Sequence, residues 1–146
     1  MELARRHLKT SSILVLLLAG LSFVQAVLEI FFGDLNHAVI PEGAPENILL
    51  ITKIVLLSFT VLFLVPEIYI GIKGLRVAKK PNSSRGHIIW ATVLFVLTIV
   101  SLIEPIVAIV TKSGAGDNVG MLLNFLLDAI IYFEYIRCAK AVAKGK

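Results

Sequence analysis

The fold is decided by stretches such as residues 48–72, ILLITKIVLLSFTVLFLVPEIYIGI, in which only Lys53 and Glu67 carry charge. The hydrocarbon core of a bilayer is about 30 Å thick, and an α-helix needs about 20 apolar residues to cross it. A soluble helix of this length would require a polar face, which this stretch lacks. The stretch therefore predicts a membrane-spanning helix.

Three further hydrophobic runs lie at about 11–32, 88–110 and 119–138. The segments between the four runs are rich in Gly, Pro, Asn and Ser, which favour turns and loops. The sequence thus predicts an all-α integral membrane protein. It forms a single transmembrane domain over residues 1–146, folded as a bundle of four transmembrane helices.

The composition supports this prediction and limits the classes of partner. Hydrophobic residues make up 58% of the chain and charged residues 16%, whereas soluble domains are nearer half apolar and a quarter charged. The net charge of +4 and the pI of about 9.4 are also typical of nucleic-acid binders. Here, however, the basic residues flank the hydrophobic runs, so we expect them to meet anionic lipid headgroups and no nucleic acid.

The distribution of basic residues predicts the orientation. Twelve of the fourteen lie on one side of the expected membrane: Arg5, Arg6, Lys9, Lys73, Arg76, Lys79, Lys80, Arg85, Arg137, Lys140, Lys144 and Lys146. Positively charged flanks stay on the cytoplasmic side, which predicts a multi-pass plasma-membrane protein with both termini in the cytoplasm. The short loops favour a bacterial membrane. An aromatic belt is expected at the same boundary, formed by Tyr69, Trp90, Tyr132 and Tyr135.

Five acidic residues lie inside the hydrophobic runs, namely Glu29, Glu67, Glu104, Asp128 and Glu134. A carboxylate at the membrane centre costs about 3 kcal/mol on insertion scales, so such residues usually face the bundle interior and mark function. Asp128 lies near the middle of its run, and Glu67 and Glu104 lie about a third of the way in. The shallow Glu29 is expected to reach the outer interface, and Glu134 to pair with Arg137.

Polar residues at helical spacing accompany these acids. The resulting stripes contain Ser22, Gln25 and Glu29 in the first run, Lys53, Thr60 and Glu67 in the second, Thr98, Ser101 and Glu104 in the third, and Asn124 and Asp128 in the fourth. Each stripe occupies one helix face, so the four faces can meet along a common axis. The predicted substrate-binding or ion-binding residues are Glu67, Glu104, Asp128, Lys53, Thr60, Ser101, Gln25 and Asn124. A polar seam that only holds the helices together remains an alternative.

Two prolines stand next to acids, Pro66 before Glu67 and Pro105 after Glu104. A proline inside a helix removes one backbone hydrogen bond and bends the helix. It also frees the carbonyl four residues earlier, and carboxylate and carbonyl oxygens together suit a hard cation or a proton. Pro66 and Pro105 are therefore predicted hinges.

No other chemistry is visible in the sequence. It has no glycine-rich phosphate loop, no Gly-x-Ser-x-Gly turn and no paired cysteine or histidine spacing, so neither an enzyme activity nor a cofactor is predicted and any metal is unknown. His7 and His87 are expected to be solvated, and Cys138 to be a packing residue. His37, with Asp34, Glu42 and Glu46, offers only a generic acidic cluster.

The two halves of the chain resemble each other weakly. Glu29 and Glu104 lie near the outer end of the first helix of each half, and Glu67 and Glu134 near the inner end of the second. Two crossings per half would make this a parallel two-plus-two repeat. Common membrane-boundary composition explains the similarity equally well.

These features indicate a small membrane protein whose carboxylates line a path for cations or cationic small molecules, as a transporter or channel. The alternative is an accessory subunit that does not transport and whose polar seams bind a larger membrane partner. A homo-oligomer is compatible with either hypothesis.

Overall fold

Five α-helices make up nearly all of the residues that the structure, a computed structural model, describes: 2–32, 46–80, 85–111 and 115–145. The helices are α1 (Glu2–Phe32), α2 (Glu46–Lys79), α3 (Gly86–Ser101), α4 (Ile103–Val110) and α5 (Ala115–Ala143). Because α3 and α4 together form one apolar segment, four helical segments are long and apolar enough to cross a membrane. The prediction of an all-helical chain with four membrane-length helices is confirmed.

The helices are longer than the hydrophobic runs. α1 begins at Glu2 rather than near residue 11, and α2 and α5 continue to Lys79 and Ala143. At 1.5 Å per residue, the 31 residues of α1 span about 46 Å, more than the roughly 30 Å of hydrocarbon. Hydropathy marks only the part of a helix within lipid, whereas Leu, Ala, Arg and Lys keep the flanking turns helical.

The third membrane segment is interrupted where a proline was expected to act. α3 ends at Ser101 and α4 begins at Ile103, so the segment is interrupted at Leu102, three residues before Pro105. The Ile106 N–H donates a hydrogen bond to the Leu102 carbonyl, with an N···O distance of 3.3 Å. Pro105 has no N–H to give to Ser101, so the regular ladder stops there. α2, in contrast, continues through Pro66 as one assigned helix.

The tightest packing lies at one end of the bundle, which we call the basic end. It consists of the first halves of α1 and α3 and the last halves of α2 and α5. α1 packs against α2 and α5, α5 also packs against α3 and α4, and α2 contacts α3. The buried apolar cluster is Leu8, Val15, Ile70, Val77, Ile88, Ala91, Leu94, Tyr132, Tyr135, Cys138, Ala139 and Val142.

Two glycines bring α1, α2 and α5 together at the basic end. A Cβ atom added to Gly71 would overlap the Leu16 side chain, and one added to Gly74 would overlap Ser12 Oγ and the Tyr135 ring. The space left at Gly74 lets Tyr135 Oη donate a hydrogen bond of 2.9 Å to the Ile70 carbonyl. Small residues permit such close helix contacts in membranes, where dispersion forces replace the hydrophobic effect.

The predicted locations of three ring side chains are wrong. Tyr132 is 6% exposed and Tyr135 is fully buried, so neither belongs to an aromatic belt. His87, expected to be solvated, is 1% exposed and packs edge-on against Tyr135 with ring centroids 6.1 Å apart. Tyr69 and Trp90 are exposed, as an interfacial belt requires, and Cys138 is buried, as a packing residue should be.

Other structural predictions remain open. The structure contains no bilayer reference, so the cytoplasmic location of the termini and the two-plus-two repeat stay predictions. His37, Asp34 and Glu42 lie outside the described residues, as do the loop residues 81–84.

Substitution of Gly74 should destabilise the bundle. Gly74→Ala places a methyl group against a tyrosine ring that is buried and hydrogen-bonded, and overpacking of this kind costs about 1–3 kcal/mol. The matched control is Gly20→Ala, because a Cβ atom there meets nothing within 4 Å. Thermal unfolding of both variants in the same detergent measures the difference. Equal stability of the two variants would contradict the close contact at Gly74.

Candidate functional site

A polar crevice lies between α1 and α5, in the half of the bundle away from the basic end. Its volume is about 600 Å³. Five polar side chains line it, together with Leu18, Leu21, Val24, Leu28 and Leu127: Ser22, Gln25, Glu29, Asn124 and Asp128. The spacing of three and four residues places each set on one helix face, and the two faces look at each other across the crevice.

Two polar side chains on the α1 side of the crevice are hydrogen-bonded to each other. Gln25 Nε2 donates a hydrogen bond of 2.9 Å to Glu29 Oε1, one helical turn away. Glu29 therefore lines the crevice together with Ser22 and Gln25, the other residues of its predicted stripe, although its shallow position predicted that it would reach the outer interface. The other shallow acid behaves as predicted, since Glu134 pairs with Arg137 at 3.0 Å.

Asp128 is the crevice acid on α5. Its side chain is half-buried, and no described residue donates a hydrogen bond to it. A carboxyl group in a membrane segment without a donor is costly, because hydrocarbon provides none. Asp128 therefore has free acceptor capacity directed to whatever fills the crevice.

Glu67 lies behind this crevice, on α2. Tyr132 Oη donates a hydrogen bond of 2.8 Å to Glu67 Oε1 and so connects α5 to α2. Tyr132 follows Asp128 by one helical turn, and Asp128 is near enough to Glu67 for the two to interact electrostatically. The structure thus brings together two of the three acids that the sequence singled out.

The third acid lies elsewhere. Glu104 and Ser101 are exposed on the outer surface of α4 and α3, and neither lines the crevice. On α2, Thr60 Oγ1 donates to its own helix at the Leu56 carbonyl, 3.0 Å away. Lys53 is half-buried, and no described carboxylate lies within ion-pair distance of its ammonium group. Its predicted role as a counter-charge remains a prediction.

Tyr132 is the site residue that the sequence analysis missed. Its position near the end of a hydrophobic run suggested an interfacial side chain. The available signal was the spacing of Asn124, Asp128 and Tyr132, each four residues apart and thus on one face of α5. That spacing is also common in lipid-facing helices, so it indicates a site residue only once the structure places Glu67 of α2 next to Tyr132.

Groups that could hold a metal ion meet at the basic end. One donor atom each from His7, Glu134 and Cys138 lies within 4.8 Å of the others. This cluster could not be predicted from the sequence, because His7 is separated from Glu134 and Cys138 by most of the chain.

A second cleft, between α2 and α3, has a different character. It has a volume of about 520 Å³ and is lined by apolar and aromatic residues that include Leu62, Phe63, Tyr69 and Trp90. These side chains are exposed on the outside of the bundle. The Tyr69 hydroxyl and the Trp90 indole N–H are the polar side-chain groups among the described residues that line this cleft, and neither carries a charge.

Removing the Tyr132 hydroxyl should weaken the bundle through Glu67. Tyr132→Phe leaves the part-buried carboxyl group without its donor, and hydrogen bonds to such groups contribute about 1.5–3 kcal/mol. Tyr69→Phe is the matched control, since that side chain is exposed. A double-mutant cycle of Tyr132→Phe with Glu67→Gln in detergent unfolding measures the coupling. Strict additivity of the two substitutions would show that the pair contributes nothing.

No protein-family model, curated protein or solved structure matches this chain. The side chains of the crevice and the Glu67–Tyr132 pair are therefore the observations from which its function can be inferred.

Proposed function

We propose that this protein binds a cation or a cationic small molecule in the α1–α5 crevice and carries it across the membrane. The observation that supports the proposal best is Asp128, a membrane-segment carboxyl group without a donor, facing Gln25 and Glu29 across a cavity of about 600 Å³. A bound positive charge would neutralise the carboxylates and remove the cost of keeping them in the membrane.

The side chains favour a cation over an anion. Glu29 and Asp128 offer carboxylate oxygens, and Asn124, Gln25 and Ser22 add neutral oxygen acceptors. Among the residues that the structure describes, no Lys, Arg or His lines the crevice. Its volume falls within the range of small-molecule pockets, about 300–1,000 Å³. It therefore suits a hydrated ion or an organic cation better than a bare ion.

The packing suggests which end of the proposed transport path across the membrane is closed. The crevice occupies the half away from the basic end, whereas the basic end is filled by Tyr135, His87 and the glycine contacts. Transport requires these contacts to open while the crevice closes. The interruption at Leu102 and the proline at position 66 are the proposed hinges, and Glu67 is the second binding group along the path.

The proposed setting is the plasma membrane of a bacterium, with the basic end in the cytoplasm against anionic headgroups. The support is the sequence position of twelve of the fourteen basic residues, which flank the hydrophobic runs on one predicted side of the membrane. The proposed activity is non-enzymatic and uses no cofactor.

A second candidate function rests on Ser101 and Glu104. Both are exposed in a membrane-length segment, and a carboxylate facing lipid is costly. A larger membrane protein or a second copy of the chain would cover them. In that case the chain is an accessory subunit, without flux of its own.

Transport can be measured in proteoliposomes that contain only this protein. Asp128→Asn should reduce uptake of a cationic substrate about tenfold or more, because removing one member of a desolvated charge pair costs about 2 kcal/mol or more. Glu67→Gln should also reduce uptake. Glu104→Gln is the matched control, and its uptake should equal that of the wild type.

The outcome separates the two candidates. Uptake that is unaffected by both Asp128→Asn and Glu67→Gln contradicts the proposed binding groups. An absence of cation flux, together with a membrane partner lost only in Glu104→Gln, favours the accessory subunit.

Topology is tested by reporter fusions. An alkaline phosphatase domain that is active only outside the cytoplasm should be inactive when fused after Lys146. The same domain should be active when inserted into segment 33–45. A fluorescent protein after Lys146 serves as the positive control for cytoplasmic location. Phosphatase activity at the C-terminus would reverse the proposed orientation.

A further inference from the structure

We propose that His7, Glu134 and Cys138 form a binding site for a transition-metal ion of the Zn²⁺ class at the basic end of the bundle. The three residues come from two helices, α1 and α5, that pack against each other. The site is distinct from the crevice, so it stands independently of the proposed transport function.

The distances between the three donor atoms are close to those of a site that holds a metal ion. One donor atom from each residue lies within 4.8 Å of the other two, and Cys138 Sγ lies 3.9 Å from Glu134 Oε2. Zn–N and Zn–O bonds of about 2.0–2.1 Å and a Zn–S bond of about 2.3 Å place the donors roughly 3.3–3.6 Å apart. Small movements of the exposed His7 side chain and of the half-buried Glu134 side chain close the difference.

The helix geometry accounts for the arrangement. Glu134 and Cys138 are four residues apart, so they project from one face of α5 one above the other. That face looks toward the first two turns of α1, where His7 lies next to the buried Leu8. Cys138 is itself buried, so the sulfur is held in place while His7 approaches from the surface.

The donor set selects the class of ion. One imidazole nitrogen, one thiolate and one carboxylate match the mixed ligands of zinc and similar borderline ions, whereas Ca²⁺ and Mg²⁺ prefer oxygen alone. Three protein donors leave the fourth tetrahedral position for water. Two anionic ligands also balance the charge of a divalent ion.

Two features oppose binding without preventing it. Arg137 pairs with Glu134 at 3.0 Å, and Arg6 and Lys140 belong to the same end of the bundle. The Arg137–Glu134 pair is largely solvent-exposed, with side-chain exposures of 62% and 37%. Pairs of this kind contribute little, so a metal ion can take the carboxylate from the arginine.

The experiment uses the full chain in detergent, stripped of metal and titrated with Co²⁺ as a spectroscopic probe for Zn²⁺. A thiolate ligand to Co²⁺ gives a charge-transfer band in the near ultraviolet. We expect this band to saturate at one ion per chain. It should be absent in Cys138→Ser, and His7→Asn and Glu134→Gln should raise the dissociation constant at least tenfold. His37→Asn, which removes an imidazole from segment 33–45, is the matched control and should bind as the wild type does.

A second measurement covers the case in which Cys138→Ser disturbs packing. Zn²⁺ should raise the unfolding temperature of the wild type but not that of His7→Asn, whose side chain is exposed and contributes little to the apo fold. The proposal is overturned if the wild type shows no thiolate–Co²⁺ band. It is equally overturned if His7→Asn binds Co²⁺ with unchanged affinity, or if His37→Asn abolishes binding.

Discussion

Hydrocarbon offers no hydrogen bonds, and this constraint governs every polar group in the four membrane segments. The backbone satisfies it with long helices, in which each N–H finds a carbonyl of the same segment. Side chains must satisfy it between helices or with their own helix, as Thr60 and Ser12 do by donating to carbonyls one turn earlier. An ionised carboxyl group cannot donate to a backbone carbonyl and needs a donor from another side chain, because it is only an acceptor. The placement of acids is therefore the most informative feature of this chain.

Two acids meet the constraint in opposite ways. Glu67 receives a hydrogen bond from Tyr132, and this contact also joins α2 to α5. Asp128, one turn from that tyrosine, lines a cavity and has no donor among the described residues. A satisfied acid is consistent with a structural role alone, whereas an unsatisfied acid beside a cavity implies a ligand, water or a proton. The contrast between the two is the reason for proposing that the crevice binds a cation.

Hydropathy was enough to predict an all-helical chain with four membrane-length helices, and one of the two prolines beside an acid, Pro105, accompanies an interruption, whereas α2 continues through Pro66. Runs of more than about 20 apolar residues are long enough to cross a membrane, and the missing N–H of Pro105 accounts for the interruption at Leu102. The hydropathy pattern could not predict how each helix is rotated about its own axis. That rotation decides that Tyr132 and His87 are buried, that Glu104 is exposed, and that His7 meets Cys138. Since most side chains in the hydrophobic runs are apolar, their patterning hardly distinguishes one face from another.

α1 contributes residues to the crevice, to the contacts with the α2 glycines and to the His7–Glu134–Cys138 cluster. Its first two turns carry His7 against α5, its fourth and fifth turns carry Ser12 and Leu16 against the α2 glycines, and its last turns carry Gln25 and Glu29 across from Asp128. A rotation or tilt of α1 relative to α5 would change the crevice, the glycine contacts and the His7–Cys138 distance together. A rigid helix can move in this way because packed interfaces switch between discrete arrangements and do not deform continuously. A metal ion bridging α1 and α5 would hold the basic end closed, and in a transporter the same ion would favour the state in which the crevice stays open.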